Sequence, residues 1–188
     1  MTTEHADGWQ PRRIDRIDAG MRRLAAAIAI LGGMGLVLVI LATVASVTGR
    51  ALIPLGLRPI RGDFELIELA AGFAVFSFLP WCQINRQHAS VELLTARLGD
   101  AVNRWIDLVC DILMFLVAAL IAVQHGRGML DKYGYGETTF VLQYPIWWAY
   151  AAGLAGAAVF LVVSLHCVMR SIDAIATGLP PTTGSAHH

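Results

Sequence analysis

Four carboxylates stand near the ends of long apolar runs, where ionisable side chains are uncommon. Glu65 and Glu68 are three residues apart and Asp107 and Asp111 are four apart, so each pair shares a helix face. Acids inside a membrane are costly and suggest cation binding or proton relay. Acids at a helix start or beside an arginine are also stabilising. The first pair therefore predicts a headgroup-level helix start, a subunit contact or ion transport, whereas the second, next to Arg104, favours a salt-bridge cluster over a proton path.

The histidines and cysteines do not suggest a cofactor. A membrane haem needs two histidines at one depth on facing helices, and His125 and His166 fall at opposite ends of their apolar runs. Cys82, Cys110 and Cys167 are far apart and are interpreted as small apolar residues. The sequence contains no HExxH, Walker or GxGxxG motif. We therefore predict no enzymatic activity, no cofactor and no metal.

The composition is that of a membrane protein. Of the 188 residues, 56% are hydrophobic and 15% are charged, whereas soluble domains are about 45–50% apolar and about 25% charged. The formal net charge is zero, so the chain lacks the basic field that attracts nucleic acid. These values predict a single membrane domain in contact with lipid and no nucleic-acid partner.

Four apolar runs predict the elements that position these residues. Each run approaches or exceeds the roughly 20 residues that cross a bilayer as a helix, and backbone groups in hydrocarbon must be satisfied within the segment. Asp63 is predicted as the N-cap of the second span, and Pro145 suits the first turn of the fourth. The fold class is therefore all-α integral membrane with four transmembrane helices, at about 24–49, 64–84, 105–125 and 145–169.

Two polar segments carry apolar residues at helical spacing. Such stripes are typical of amphipathic helices that lie in the membrane interface. The segments 1–23 and Gln83–Arg104 are accordingly predicted as an N-terminal and a central amphipathic interfacial helix, residues 124–144 as a polar loop and residues 170–188 as a short tail. The stripes are formed by Ile14, Ile17 and Met21 in the first segment and by Val91, Leu94, Leu98 and Val102 in the second.

The distribution of arginines predicts the orientation. Four spans put both termini on one side, and a cytoplasmic N-terminus places nine of the fourteen basic residues inside. Trp81 and Trp105 then mark the inner interface, and Trp147 and Trp148 the outer one. We expect a multi-pass protein of the bacterial inner membrane with both termini in the cytoplasm.

The interiors of the second, third and fourth runs are almost wholly apolar. Secondary transporters usually have interrupted helices that line a site at the membrane midplane. Small residues four apart on the fourth run (Ala152 and Gly156, Gly153 and Ala157) instead predict close packing against other helices. The residues favour an accessory membrane subunit. The alternative is a self-sufficient small channel or proton-coupled carrier that uses Glu65, Glu68, Asp107 and Asp111.

Two stretches resemble a known family. The first is GDFELIEL at 62–69, followed by FLP at 78–80 and NRQHASVELL at 85–94; the second is ETT at 137–139, followed by PIWWAY at 145–150. In this order they resemble the small membrane subunit of tripartite ATP-independent periplasmic (TRAP) transporters. The chain departs from the family pattern at Gln87, where Gly is common, at Glu92, where Asp is usual, and at Leu154, where a second Pro often occurs.

The resemblance implies a place in a three-part importer. A periplasmic solute-binding protein captures an organic acid, such as a carboxylate or a sialic-acid-like anion, and a large multi-span subunit carries it inward with a Na⁺ gradient. The small subunit is similar to a non-catalytic scaffold in the lipid, and the family's substrate and Na⁺ sites belong to the large subunit. The candidate structural or subunit-contact residues are Asp63, Glu65, Glu68, Arg86, His88, Glu92, Pro145 and Trp148.

Overall fold

The computed structural model describes residues 13–85 and 100–177, and the described residues form an all-α membrane fold. Most of the predicted central amphipathic stripe, the first twelve residues and the end of the tail lie outside this part of the chain. A short 3-10 turn, Ile53–Leu55, follows the first helix. The helices are α1 Arg13–Ala51, α2 Asp63–Ile84, α3 Asp100–Tyr135 and α4 Trp147–Thr177.

All four helices are long and apolar enough to cross a membrane. The most apolar stretches of the four have mean hydropathies between 1.5 and 2.7. Each helix satisfies its backbone hydrogen bonds internally, which is the condition for crossing hydrocarbon. The predicted four-span, all-α architecture is confirmed.

The helices extend beyond the predicted spans. The described part of the N-terminal segment is continuous with the first span, and α4 runs to Thr177 through residues predicted as tail. The largest difference is in α3, which continues through Gly126 and Gly128 to Tyr135. A helical glycine costs about 1 kcal/mol relative to alanine, but Gly128 lets the Tyr150 ring of α4 approach closely. The helix ends instead at Tyr135, and the next residue, Gly136, has a φ of 63°, the left-handed conformation that commonly follows a helix C-terminus.

The helices form a row in the order α1, α2, α4, α3. Helix α2 packs against α1 and α4, α3 packs against α4, and α1 makes a smaller contact with α4. Within the most apolar stretch of each helix, 44% of α4 and 28% of α2 is buried, against 11% of α1 and of α3. Helices α1 and α3 are therefore the flanks of the row, and their outer faces expose large apolar side chains such as Leu38, Leu41, Leu116 and Leu120.

Small residues form the helix crossings. A Cβ on Gly32 would lie 2.6 Å from the Cβ of Ser77 on α2, and one on Gly156 would lie 2.8 Å from the carbonyl oxygen of Phe76. Gly153, Gly156 and Ala157 of α4 are buried, whereas Ala152 is exposed. The predicted close packing by small residues of the fourth helix is confirmed on the face that carries these three.

The two ends of the bundle differ. Asp18, near the start of α1, contacts His166 and Arg170, near the end of α4. These parts of the first and last helices therefore lie at the same end of the bundle, which we call the termini end. The other end carries the 3-10 turn and the connection from Gly136 to Ile146, and we call it the hairpin end. Cys167 is buried in the apolar core near the termini end, with Ala25, Ile84 and Val163.

Candidate functional site

Asp63 connects α1 and α2 at the hairpin end. Helix α2 begins at Asp63 itself, and Gly62 is the N-cap, which corrects the prediction that Asp63 is the cap. One oxygen of its carboxylate accepts the N–H of Phe64 (3.0 Å), and the other accepts the Ser46 hydroxyl of α1 (2.7 Å) and lies 3.5 Å from the Arg50 guanidinium. Ser46 also accepts the N–H of Ile60. The acid therefore fixes the connection between the first two helices.

Glu65 binds the connection between α3 and α4. One of its carboxylate oxygens accepts the N–H of Val141 (2.7 Å) and the other accepts the N–H of Leu142 (2.9 Å). Two backbone donors on one carboxylate form charge-assisted hydrogen bonds, which are stronger than neutral ones. Glu65 thus holds α2 to a segment that lies 76 to 77 residues further along the chain.

The connection held by Glu65 has a defined conformation. The N–H of Thr139 binds the carbonyl of Tyr144, and the hydroxyl of Thr139 accepts the N–H of Tyr144. Gln143 has a φ of 52°, and its amide donates to the Phe140 carbonyl. A positive φ is uncommon for a residue other than glycine. The connection presents the Phe140 side chain at 97% exposure.

Gly62 allows this connection to reach α2. Its φ is 77°, and a Cβ there would lie 2.6 Å from Cγ of Leu142. A side chain at this position would therefore meet both an unfavourable backbone and an occupied space. The glycine of the GDFELIEL stretch is explained by this close approach.

A groove of about 250 Å³ lies beneath the connection, and we call it the hairpin-end groove. Helices α2, α3 and α4 all line it, and Glu65 and Glu68 lie on its α2 side. His125 of α3 stacks on the Tyr150 ring at a centroid distance of 4.9 Å, and its Nε2–H donates to the Tyr150 carbonyl (3.1 Å). The remaining lining is mainly apolar: Leu69, Phe73, Phe76, Ile146 and Ala149.

A second polar group ties α1 to α4 at the termini end. The Asp18 carboxylate accepts the Arg170 guanidinium (3.1 Å) and lies 3.2 Å from Nε2 of His166, and its other oxygen accepts Nε of Arg22 (2.8 Å). His166 and Arg170 are only 6% and 5% exposed. Arg22 extends the group to α2 by donating to the Asn85 side chain (3.0 Å). A buried charge needs such partners, so the loss of any one of them would leave an uncompensated charge at this end of the bundle.

Asp111 is part of the same end of the bundle. The hydroxyl of Ser171 on α4 donates to one of its oxygens, and the Gln83 amide of α2 lies 3.4 Å from the other. Asp111 is buried, and its contacts with Ser171 and Gln83 link α3 to α4 and α2. Asp107 of the same helix face is half-buried and also has an interaction partner.

The predicted candidates are thus divided between regions. Asp63, Glu65, Glu68, Pro145 and Trp148 all lie at the hairpin end, where Trp148 packs edge-on against the Tyr144 ring at 5.7 Å. Helix α4 begins two residues after Pro145, whose carbonyl accepts the N–H of Trp148. The other candidates, Arg86, His88 and Glu92, lie outside the described residues.

The residues of the termini-end group were not selected from the sequence. Asp18 and Arg22, and likewise His166 and Arg170, are four residues apart, and opposite charges at this spacing are a usable signal for the first pair. The pairing of α1 with α4 has no such signal. Within the described residues, no three His, Cys, Asp or Glu side chains are placed to hold a metal ion.

Comparison with known proteins gives one result. The sequence profile of tripartite ATP-independent periplasmic transporters, DctQ component, matches residues 39–174. No match was found among curated proteins or solved structures. The matched segment covers all of α2 and α3, most of α4 and the connection held by Glu65. With its four apolar helices, the chain belongs to the DctQ family, the small permease component of TRAP transporters.

Proposed function

We propose that this chain is the non-catalytic scaffold of a Na⁺-coupled, binding-protein-dependent importer of organic acids in the bacterial inner membrane. Its partners are the large multi-span transport subunit, the periplasmic solute-binding protein and the surrounding lipid. The termini end lies in the cytoplasm, as the arginine distribution favours. The transported anion is a carboxylate or a sialic-acid-like acid.

The arrangement of helices supports the scaffold role most directly. A large subunit that moves substrate by shifting one of its parts needs another part held still in the bilayer. Helices α1 and α3 present long apolar flanks, while Gly32 forms a close crossing of α1 with α2, and Gly153 and Gly156 form one of α4 with α2. The bundle is also tied at both ends by ion pairs and hydrogen bonds between helices. A body of this kind offers wide surfaces to lipid and partner around a firmly connected centre.

The contacts of the acids do not favour the self-sufficient channel or carrier. Glu65 is occupied by the backbone donors of Val141 and Leu142 at the hairpin end. Asp111 is bound to the Ser171 hydroxyl at the termini end. Charged groups that serve a transport path are expected to face a water-filled cavity or pore across the membrane, and these two carboxylates instead hold opposite ends of the fold.

Co-purification with the large transport subunit tests the proposed function. We expect the tagged chain and the large subunit to remain together through size exclusion in mild detergent. In liposomes, uptake of a labelled organic acid should require both subunits, the binding protein and a Na⁺ gradient. A chain that purifies alone and transports an ion or acid by itself would contradict the scaffold and support the alternative.

A further inference from the structure

Glu68 differs from its neighbour Glu65 in what it contacts. Glu65 is satisfied by the connection between α3 and α4, whereas Glu68 is exposed and makes no hydrogen bond or ion pair in the part of the chain that the structure describes. It stands in the second turn of α2, within a helix that crosses the membrane. A carboxylate inside a membrane is costly unless a cation, a hydrogen-bond donor or water meets it. A protein partner for Glu68 would therefore come from outside the described residues.

The hairpin-end groove restricts the chemistry of that partner. Its lining contains two carboxylates and no lysine or arginine, and the Nε2–H of His125, which also lines it, is already bound to the Tyr150 carbonyl. The phosphate of a phospholipid would meet two negative charges and find no basic side chain there. The aromatic rings of Phe73, Phe76 and Tyr150 suit the alkyl stem and cationic end of a basic side chain. Charge complementarity thus favours a cationic group, such as a lysine or arginine side chain, over the phosphate of a lipid.

The shape of the groove favours a side chain carried by a helix. Its volume of about 250 Å³ is below the roughly 300–1,000 Å³ of small-molecule sites, and it holds a few side chains. Gly72 lines it, and a Cβ on Gly72 would meet nothing within 4 Å. Small residues let a second helix backbone approach closely in a membrane.

We propose that the hairpin-end groove binds a transmembrane helix of the large subunit, and that Glu68 pairs with a lysine or arginine of that helix. This inference rests on the proposed function, because it takes the large subunit as the partner. It assigns different tasks to the two acids: Glu65 holds this chain's own connection, and Glu68 binds the partner. The apolar lining of the groove shields the pair from water and increases the strength of the interaction.

The test compares Glu68→Gln with Asp131→Asn in the complete complex of both membrane subunits. Asp131 is exposed on α3 and does not line the groove, so its replacement removes the same charge elsewhere. We expect Glu68→Gln to weaken association by about tenfold or more, measured by subunit exchange in detergent, and Asp131→Asn to leave it unchanged. Glu68 makes no hydrogen bond or ion pair within the described residues, so the variant should remain folded, as circular dichroism and size exclusion will show.

A cross-link identifies the occupant. A photoreactive phenylalanine analogue placed at Gly72 should form an adduct with the large subunit, in a peptide next to a lysine or arginine, whereas the same analogue at Gly33 of α1 serves as the control.

Exchanging the charges, with Glu68→Arg and the partner's basic residue replaced by Glu, should restore association. Adducts with lipid only, together with normal association of Glu68→Gln, would overturn the inference. If the two wild-type subunits still co-purify in that case, the proposed scaffold function is not contradicted. If the two wild-type subunits never associate, the proposed function itself is contradicted.

Discussion

At the residue scale, three neighbouring acids at the start of one helix have different environments. Asp63, Glu65 and Glu68 lie within six positions of each other, and a sequence pattern treats them as one acidic helix start. In the fold, Asp63 binds Ser46 of α1, Glu65 binds the backbone of the connection, and Glu68 is exposed at the groove. Their functions can therefore be separated by single substitutions.

Glu65→Gln is expected to loosen the connection between α3 and α4. The amide has an NH2 group in place of one carboxylate oxygen, so one of the two backbone N–H groups would face a donor instead of an acceptor. Amide hydrogen exchange measured by mass spectrometry should become faster over residues 139–144, with little change in the middle of α2. The matched Asp131→Asn variant should retain the protection of the wild type. Equal protection in both variants would show that the carboxylate does not hold the connection.

At the scale of helices, the bundle is held by close crossings in its centre and by polar contacts at its ends. Gly156 allows α4 to touch the backbone of α2 at Phe76. At the termini end, Asp18 joins α1 to His166 and Arg170 of α4. Helices in lipid gain little from burying apolar surface against one another, so van der Waals packing and interhelical hydrogen bonds hold them together.

Gly156→Ala should lower the thermal stability of the bundle. The new methyl group would lie 2.8 Å from a backbone carbonyl oxygen, so α2 and α4 must move apart. Overpacking of this kind costs about 1–3 kcal/mol. Gly33→Ala on α1 is the control, because its Cβ would meet nothing within 4 Å and alanine favours the helix. Thermal denaturation in detergent should separate the two variants. An unchanged melting temperature for Gly156→Ala would contradict the close crossing of α2 and α4.

At the scale of the whole molecule, the row of helices gives the protein two flanks and two distinct ends. The flanks formed by α1 and α3 are apolar and suited to lipid or to a partner subunit. The hairpin end carries the groove, the connection and the tryptophans of α4, and the termini end carries the network around Asp18. A membrane-spanning transporter subunit of this form has one end for each side of the membrane.

The orientation can be tested with single cysteines in a variant that lacks Cys82, Cys110 and Cys167. Phe140→Cys lies at the most exposed point of the connection, and Ala176→Cys is exposed near the end of α4. We expect a membrane-impermeant thiol reagent to label Phe140→Cys in intact spheroplasts and Ala176→Cys only after permeabilisation. The opposite labelling would place the termini end outside the cell and contradict the arginine-based orientation.

The sequence alone determined the number of long apolar helices, the helical class and the family. Apolar runs about as long as a bilayer is thick leave few alternatives, because unpaired backbone groups are not tolerated in hydrocarbon. The stretches GDFELIEL and PIWWAY were also sufficient to indicate the family that the profile match establishes. The predicted loop began too early, because the packing of Gly128 against Tyr150 lets α3 continue through its glycines.

Only the tertiary structure decided which helices touch and which acid meets which partner. The order α1, α2, α4, α3 depends on the complementary shapes of faces that are all apolar, and hydropathy does not distinguish such faces. The bonds from Glu65 to Val141 and from Asp18 to Arg170 join distant parts of the chain. Local periodicity describes one helix at a time, so contacts of this range become visible only when the helices are assembled.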